Sequence, residues 1–336
     1  MQDHIERSQK ENSNVEKKEI PNIDFLEDID TLKDILINDT LAIKVRMNAL
    51  FRLRTIASFE AIKALEEALI IEKSSDLIRH EVCYCYGQMI ESNKNREEIE
   101  KFLYNEIFEN PKKYNSIVLH EAAEALGNIS SDHNINLLQR FLNYEDDIIK
   151  ETCEISVENL EWMKRTENGK TEGLDKLDLV YHTNDPAPPF NFKNDEFYSS
   201  IDNVKNIMHD EKETMFNRYR AIFTLREFNN EIAVDALCEC FDKRFRHKYS
   251  PLFKHEVSFI LGQMCDKAKN ALTALENVLQ DEEEDPIVRH ETALALGEIT
   301  KSKELLTKYT QHENQLIRES CEIALDFVDY WEGCSC

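Results

Sequence analysis

Apolar and polar positions along the chain follow one pattern, written more than once. Residues 80–89, HEVCYCYGQM, align with residues 255–264, HEVSFILGQM, and residues 120–129, HEAAEALGNI, align with residues 290–299, HETALALGEI. Further out, ETCEI at 151–155 matches ESCEI at 319–323, and ALFRLR at 49–54 resembles AIFTLR at 221–226. His80 and His255 are 175 residues apart and His120 and His290 are 170 apart, so the chain is an internal duplication. Each aligned segment starts from a helix signal. Five residues before each His stands an N-cap residue, Ser75, Asn115, Ser250 or Asp285, with Pro251 and Pro286 at the first helical position of the second pair.

Within a half the unit returns after 40 residues, from His80 to His120, or 35, from His255 to His290. That is close to the period of paired-helix HEAT-type repeats. The expected fold is all-α, an α-solenoid of HEAT-like helical hairpins in two duplicated halves. The expected halves are residues 23–163 and 201–336. Between them, residues 164–200 carry Gly169, Gly173 and DPAPP at 185–189, which break helical periodicity and read as a flexible linker. Residues 1–22, rich in Glu, Lys, Asn and Ser, read as a disordered extension. Seven residues after each His is a Gly: Gly87, Gly127, Gly262 and Gly297, four of the seven in the chain. Seven residues fall about 20° short of two turns, so each Gly shares the stripe of its His and removes bulk there.

Composition sharpens this picture. With 41% hydrophobic and 32% charged residues but only 7 Gly and 7 Pro, the chain has few of the residues that punctuate turns and sheets. A net charge of −25 argues against binding a phosphate backbone and suits a cationic partner or substrate. Nine cysteines without disulfide spacing and no secretory signal point to a reducing, cytoplasmic setting. No apolar run approaches the ~18 residues that a membrane span needs. The Cys334–Cys336 tail lacks partner ligands and receives no role.

The chemistry lies in the His-Glu pairs: His80-Glu81, His120-Glu121, His255-Glu256 and His290-Glu291. A fifth pair, His312-Glu313, is an internal control, because it lacks both the cap and the Gly and reads as surface. In the last repeat of each half the His position holds Lys150 or Arg318, which confines imidazole to the inner repeats. Imidazoles with carboxylates form a mixed nitrogen and oxygen set suited to iron, manganese or zinc. His80, His120 and Glu121 from one half, and His255, His290 and Glu291 from the other, give two sets of two His and one carboxylate, the arrangement of oxygen-activating iron. Glu81 and Glu256 remain, free to ligate, to hydrogen-bond to ligands, or to face a cationic substrate.

Four dyads in two duplicated halves, with HEAAEALG, LFKHEV, VRHE, ESCEIAL and DPAPP, resemble the deoxyhypusine hydroxylase family over residues 35–331. The resemblance implies a monooxygenase with two Fe ions per chain and O2 as co-substrate. It would hydroxylate the deoxyhypusine side chain of a translation initiation factor to form hypusine, with no nucleic acid or membrane involved. It also implies that the irons lie between the halves and clamp them, so that metal-free protein would be looser and more extended. Glu81 and Glu256 would orient the substrate amine or add iron ligands. One departure stands out: Leu294 occupies the place of Glu124, so that carboxylate has no symmetric role. The competing expectation is a non-catalytic acidic HEAT-repeat scaffold for a basic protein.

Overall fold

A computed structural model describes residues 23–299 and 302–334; the expected N-terminal extension and Cys336 lie outside the described residues. The first half holds α1 (Ile29–Ile37), α2 (Ile43–Ile56), α3 (Phe59–Ile71), α4 (Asp76–Gln88), α5 (Asn93–Phe102), α6 (Ser116–Gly127), α7 (Asp132–Gln139) and α8 (Asp147–Thr166). The second holds α9 (Ile201–His209), α10 (Met215–Phe228), α11 (Glu231–Cys238), α12 (Pro251–Gln263), α13 (Leu272–Gln280), α14 (Pro286–Ile299), α15 (Lys303–Tyr309) and α16 (Gln315–Cys334). No strand occurs among the described residues, as the all-α solenoid requires.

The helix starts are those the caps dictate. The side chains of Ser75, Asn115 and Ser250 accept hydrogen bonds from the backbone N–H of Ile78, Val118 and Phe253, and Asp285 accepts from Ile287 N–H at 2.9 Å. Each cap satisfies one donor that a helix start leaves orphaned.

Even-numbered helices form an inner layer, each against the next, and odd-numbered helices back them. The inner layer also closes on itself, because α8 packs on α10 and α16 packs on α2. Inner helices are therefore apolar nearly all round: Val82, Cys83, Cys85 and Tyr86 on α4 are all buried, as are Val257, Ile260 and Leu261 on α12. The four repeated glycines face the next inner helix. A Cβ on Gly127 would lie 2.7 Å from Ser156 Cβ, and one on Gly297 would lie 2.6 Å from the Ala324 carbonyl oxygen, so close helix approach is one reason for the motif.

The connecting segment is not loose. Ala187, Phe190 and Phe192 are buried, Arg220 Nε donates to Pro188 O at 3.2 Å, and Phe190 N–H donates to Thr224 Oγ1 at 2.8 Å. At its centre, Asn184 exchanges hydrogen bonds with Gln88 (3.2 and 3.3 Å), accepts from Asn128 at 3.3 Å and donates to Gly87 O at 3.2 Å. Beside it Asp185 takes both ends of the buried Arg226 guanidinium, at 2.6 and 3.0 Å. Glycine and proline kept α-helix out of this segment, which holds only short 3-10 turns at Lys170–Glu172 and Leu174–Lys176, but aromatic and polar side chains dock it as a strap from α10 to the ends of α4 and α6.

Candidate metal centre

Ring closure brings the four dyad helices to one place. Imidazole centroids lie 5.4 Å apart for His80 and His120 and 5.4 Å for His255 and His290, and across the halves 5.1 Å for His80 and His290 and 5.1 Å for His120 and His255. All eight dyad residues are buried, none more than 7% exposed. His312, the control pair's imidazole, instead stacks on Tyr309 and contacts Glu282. Lys150 pairs with Asp147, and Arg318 donates to His312 O.

Within each half the nitrogens converge on one carboxylate. Glu121 Oε1 lies 3.3 Å from His80 Nε2 and 3.5 Å from His120 Nε2, and Glu291 Oε2 lies 3.6 Å from both His255 Nε2 and His290 Nε2. Bonds of about 2.1 Å to one ion, opening between a right angle and somewhat beyond the tetrahedral angle, separate ligand atoms by roughly 3.0–3.6 Å. Six imidazole nitrogens, among them all four Nε2 atoms, are buried without a hydrogen-bond partner among the described residues. Buried polar atoms rarely stay unpaired. Lone pairs aimed at a common point are what a metal ion satisfies, so the residues fit a metal cofactor.

Electrostatics agree. Burial, and then neighbouring imidazolium charge, hold His120 and His290 well below the ordinary imidazole range and His255 down at about 3. For His80 burial also disfavours the charge, but Glu121 and Glu81 outweigh it and raise the imidazole to about 10. Burial first, then Glu81, pushes Glu291 up to about 8. Carboxyls raised by burial and by one another, beside imidazoles held neutral, form a set whose mutual repulsion a bound cation would relieve.

The two remaining dyad carboxylates part company. Glu81 Oε1 sits 3.2 Å from His80 Nδ1, on the far side of the imidazole from Glu121. Glu256 lines the cavity, and burial together with Glu121 and Asp185 raises its carboxyl well above the usual range. One group escaped sequence reasoning: Ser320 Oγ lies 3.3 Å from His290 Nδ1. Ser320 and its matched residue, Thr152, both donate to their own helix, at Leu316 O and Ile148 O, and of the two only Ser320 also meets an imidazole. Paired hydroxyls in ETCEI and ESCEI were the available signal.

Above the histidines is a cavity of about 330 Å³. Glu81, Glu121, Glu124, Glu256 and Glu291 line its floor, and Tyr84 and Phe259 meet edge to face at 6.0 Å across the halves. Its outer wall is Met47, Phe51, Arg54, Ile323 and Phe327 at the α2–α16 seam. The counterparts of these residues at the α8–α10 seam line no part of it, and that is the side the strap covers. No helix among the described residues is long and apolar enough to cross a membrane.

Comparison with known proteins agrees with this picture. The model of the PBS lyase HEAT-like repeat matches residues 218–243. Deoxyhypusine hydroxylase of Candida albicans is 35% identical over 321 residues, covering 90% of this chain and 92% of that protein. The deoxyhypusine hydroxylase of Danio rerio is also 35% identical, with the same coverage. The solved structure of human deoxyhypusine hydroxylase in complex with glycerol superposes with a TM-score of 0.76 at 31% identity, covering 90% of this chain and 96% of that one. A closed pair of helical-repeat halves around four buried His-Glu dyads, together with this similarity along nine-tenths of its length, makes the chain a member of the deoxyhypusine hydroxylase family.

Proposed function

We propose that the chain is a deoxyhypusine monooxygenase, which uses two Fe ions and O2 to hydroxylate the deoxyhypusine side chain of a translation initiation factor and so form hypusine. The observation that carries this reading is the pair of facing sets, His80, His120 and Glu121 opposite His255, His290 and Glu291, beneath a cavity floored with carboxylates. Bound iron would supply the oxygen activation that side chains cannot.

The chain's own groups bind, orient and seclude. Each Glu of a metal set would hold one ion between two imidazoles of its own half. Glu81 fixes the ring of His80, and a charge-assisted contact of that kind also sharpens the ligand's basicity. Glu256, which no hydrogen bond or ion pair from the described residues reaches, is left to receive a substrate ammonium. Tyr84, Phe259, Phe51 and Phe327 line the approach with apolar surface that suits methylenes and limits water. Cys83, Cys85, Cys153, Cys238, Cys240, Cys265 and Cys321 are free thiols, in keeping with a reducing cytoplasm.

A scaffold that only held a basic partner would have no use for buried imidazoles left without hydrogen bonds. The test is metal analysis of protein purified in air, followed by incubation with the deoxyhypusine form of the factor, O2 and a chemical reductant that supplies the two electrons for the second oxygen atom. Two irons per chain and a mass gain of one oxygen atom on the factor are expected. Zinc alone, or no mass gain from iron-loaded protein, defeats the reading.

A further inference from the structure

The two halves are related by duplication, so their cavity walls should offer a long asymmetric side chain two equivalent ways to lie. They do not, because matched positions differ: Glu124 is matched by Leu294 and Tyr84 by Phe259. On α6, Glu124 lies one turn beyond His120, and His120 packs against His255 at 5.1 Å, which brings Glu124 beside Glu256 of α12. Glu124 reaches into the cavity, and neither its carboxylate nor that of Glu256 receives a hydrogen bond or ion pair among the described residues. The place related by symmetry lies between Leu294 and Glu81. There one side is apolar, and the carboxylate is already held by His80 Nδ1.

Position along the cavity matters too. Across the cavity from the wall at the α2–α16 seam, Glu124 and Glu256 stand toward the side closed by the strap, with the charge of Asp185 behind them. A side chain that lies along the cavity past the histidines brings its far end there.

We infer that Glu124 and Glu256 form a single ammonium seat for the terminal amine of the substrate side chain, so that Glu124 is a positioning residue that fixes the direction of binding. This rests on the hydroxylase reading for the identity of the substrate, but the seat itself binds an alkyl diamine whether or not turnover follows. Leu294 and Phe259 then face methylenes, and Glu81 serves the imidazole of His80 rather than the amine.

The experiment is calorimetric titration of the iron-loaded protein with N-butyl-1,4-diaminobutane, with iron content and melting temperature measured alongside. Loss of one charge-assisted hydrogen bond in Glu124→Gln is expected to weaken binding by about tenfold at unchanged iron content. Glu124→Asp should recover part of that affinity. Leu294→Glu should create a second seat and allow the factor to be hydroxylated at more than one carbon, read by fragmentation of the modified residue. Unchanged affinity in Glu124→Gln, or a wild-type protein that binds no diamine, overturns the seat. Loss of iron in Glu124→Gln would make the residue a ligand and also overturns it. If the diamine binds and Glu124→Gln loses it, but the factor gains no oxygen, the hydroxylase reading fails while the seat stands.

Discussion

At the residue scale, the clustering of the eight dyad residues could be read from the sequence because each occurs in a pattern written four times, and repetition separates a shared site from a chance His-Glu. The structure brings those eight together within one buried cluster. What could not be read is whatever breaks the symmetry. Glu81 and Glu256 look equivalent in sequence, yet only Glu81 meets a histidine nitrogen. Ser320 and Thr152 look equivalent too, yet only Ser320 reaches an imidazole. This contrast sets a test. A hydroxyl on Nδ1 fixes the ring so that Nε2 faces the ion, and loss of such a partner costs about tenfold or more in metal affinity. Ser320→Ala should therefore weaken iron binding by about tenfold in the second half, measured by competition with a chelator. Thr152→Val should leave both affinities as they were. Equal effects from the two substitutions would show that the contact at His290 carries no orientation.

At the element scale, caps and glycines placed the inner helices correctly because both are local signals that need no knowledge of the partner helix. The depth of contact at each glycine is not local, and here the four copies diverge. A Cβ at Gly87 would meet Ala125 Cα at 3.5 Å, ordinary contact, whereas at Gly297 it would meet backbone of α16 at 2.6 and 2.8 Å. Alanine gains about 1 kcal/mol over glycine inside a helix. Overpacking against backbone costs about 1–3 kcal/mol. Gly87→Ala should thus be as stable as the parent or slightly more so, and Gly297→Ala should lose about 2 kcal/mol, both measured by denaturant unfolding. A Gly297→Ala protein of parental stability would mean that α14 and α16 have room to separate. The connecting segment shows the opposite limit of local signals. Its glycines and prolines announced only that no helix forms, while its docking depends on Arg220, Thr224 and Arg226, far away on α10.

At the scale of the whole molecule, the family resemblance implies a clamp made by metal and hence an extended metal-free form. The structure supplies other clamps. Besides the strap, Ser75 at the start of α4 donates to Glu319 of α16 at 2.6 Å, and Lys44 of α2 pairs with Asp326 of α16 at 3.2 Å. Ile323 and Val288 of the second half also share the apolar core of the first. Burying apolar surface contributes about 25 cal/mol per Å², and it acts whether or not an ion is bound. An ion that binds only the folded state adds stability through its occupancy, about 2.7 kcal/mol at a hundred times its dissociation constant. Chelation should therefore lower the melting temperature while the radius of gyration stays near the value of about 20 Å typical of a compact chain of this length. Opening should require loss of the strap as well. Gln88→Ala with Asp185→Ala removes both bonds from Gln88 to the Asn184 backbone and the grip on Arg226, and leaves the Arg226 guanidinium buried with fewer acceptors, a cost of several kcal/mol. Small-angle scattering of four samples, parent and double variant, each with and without iron, separates the contributions. Expansion confined to the iron-free variant means that metal and strap are parallel clamps. Expansion of the iron-free parent means that the ions alone hold the ring closed, and the contacts described between α2 and α16 then contribute little.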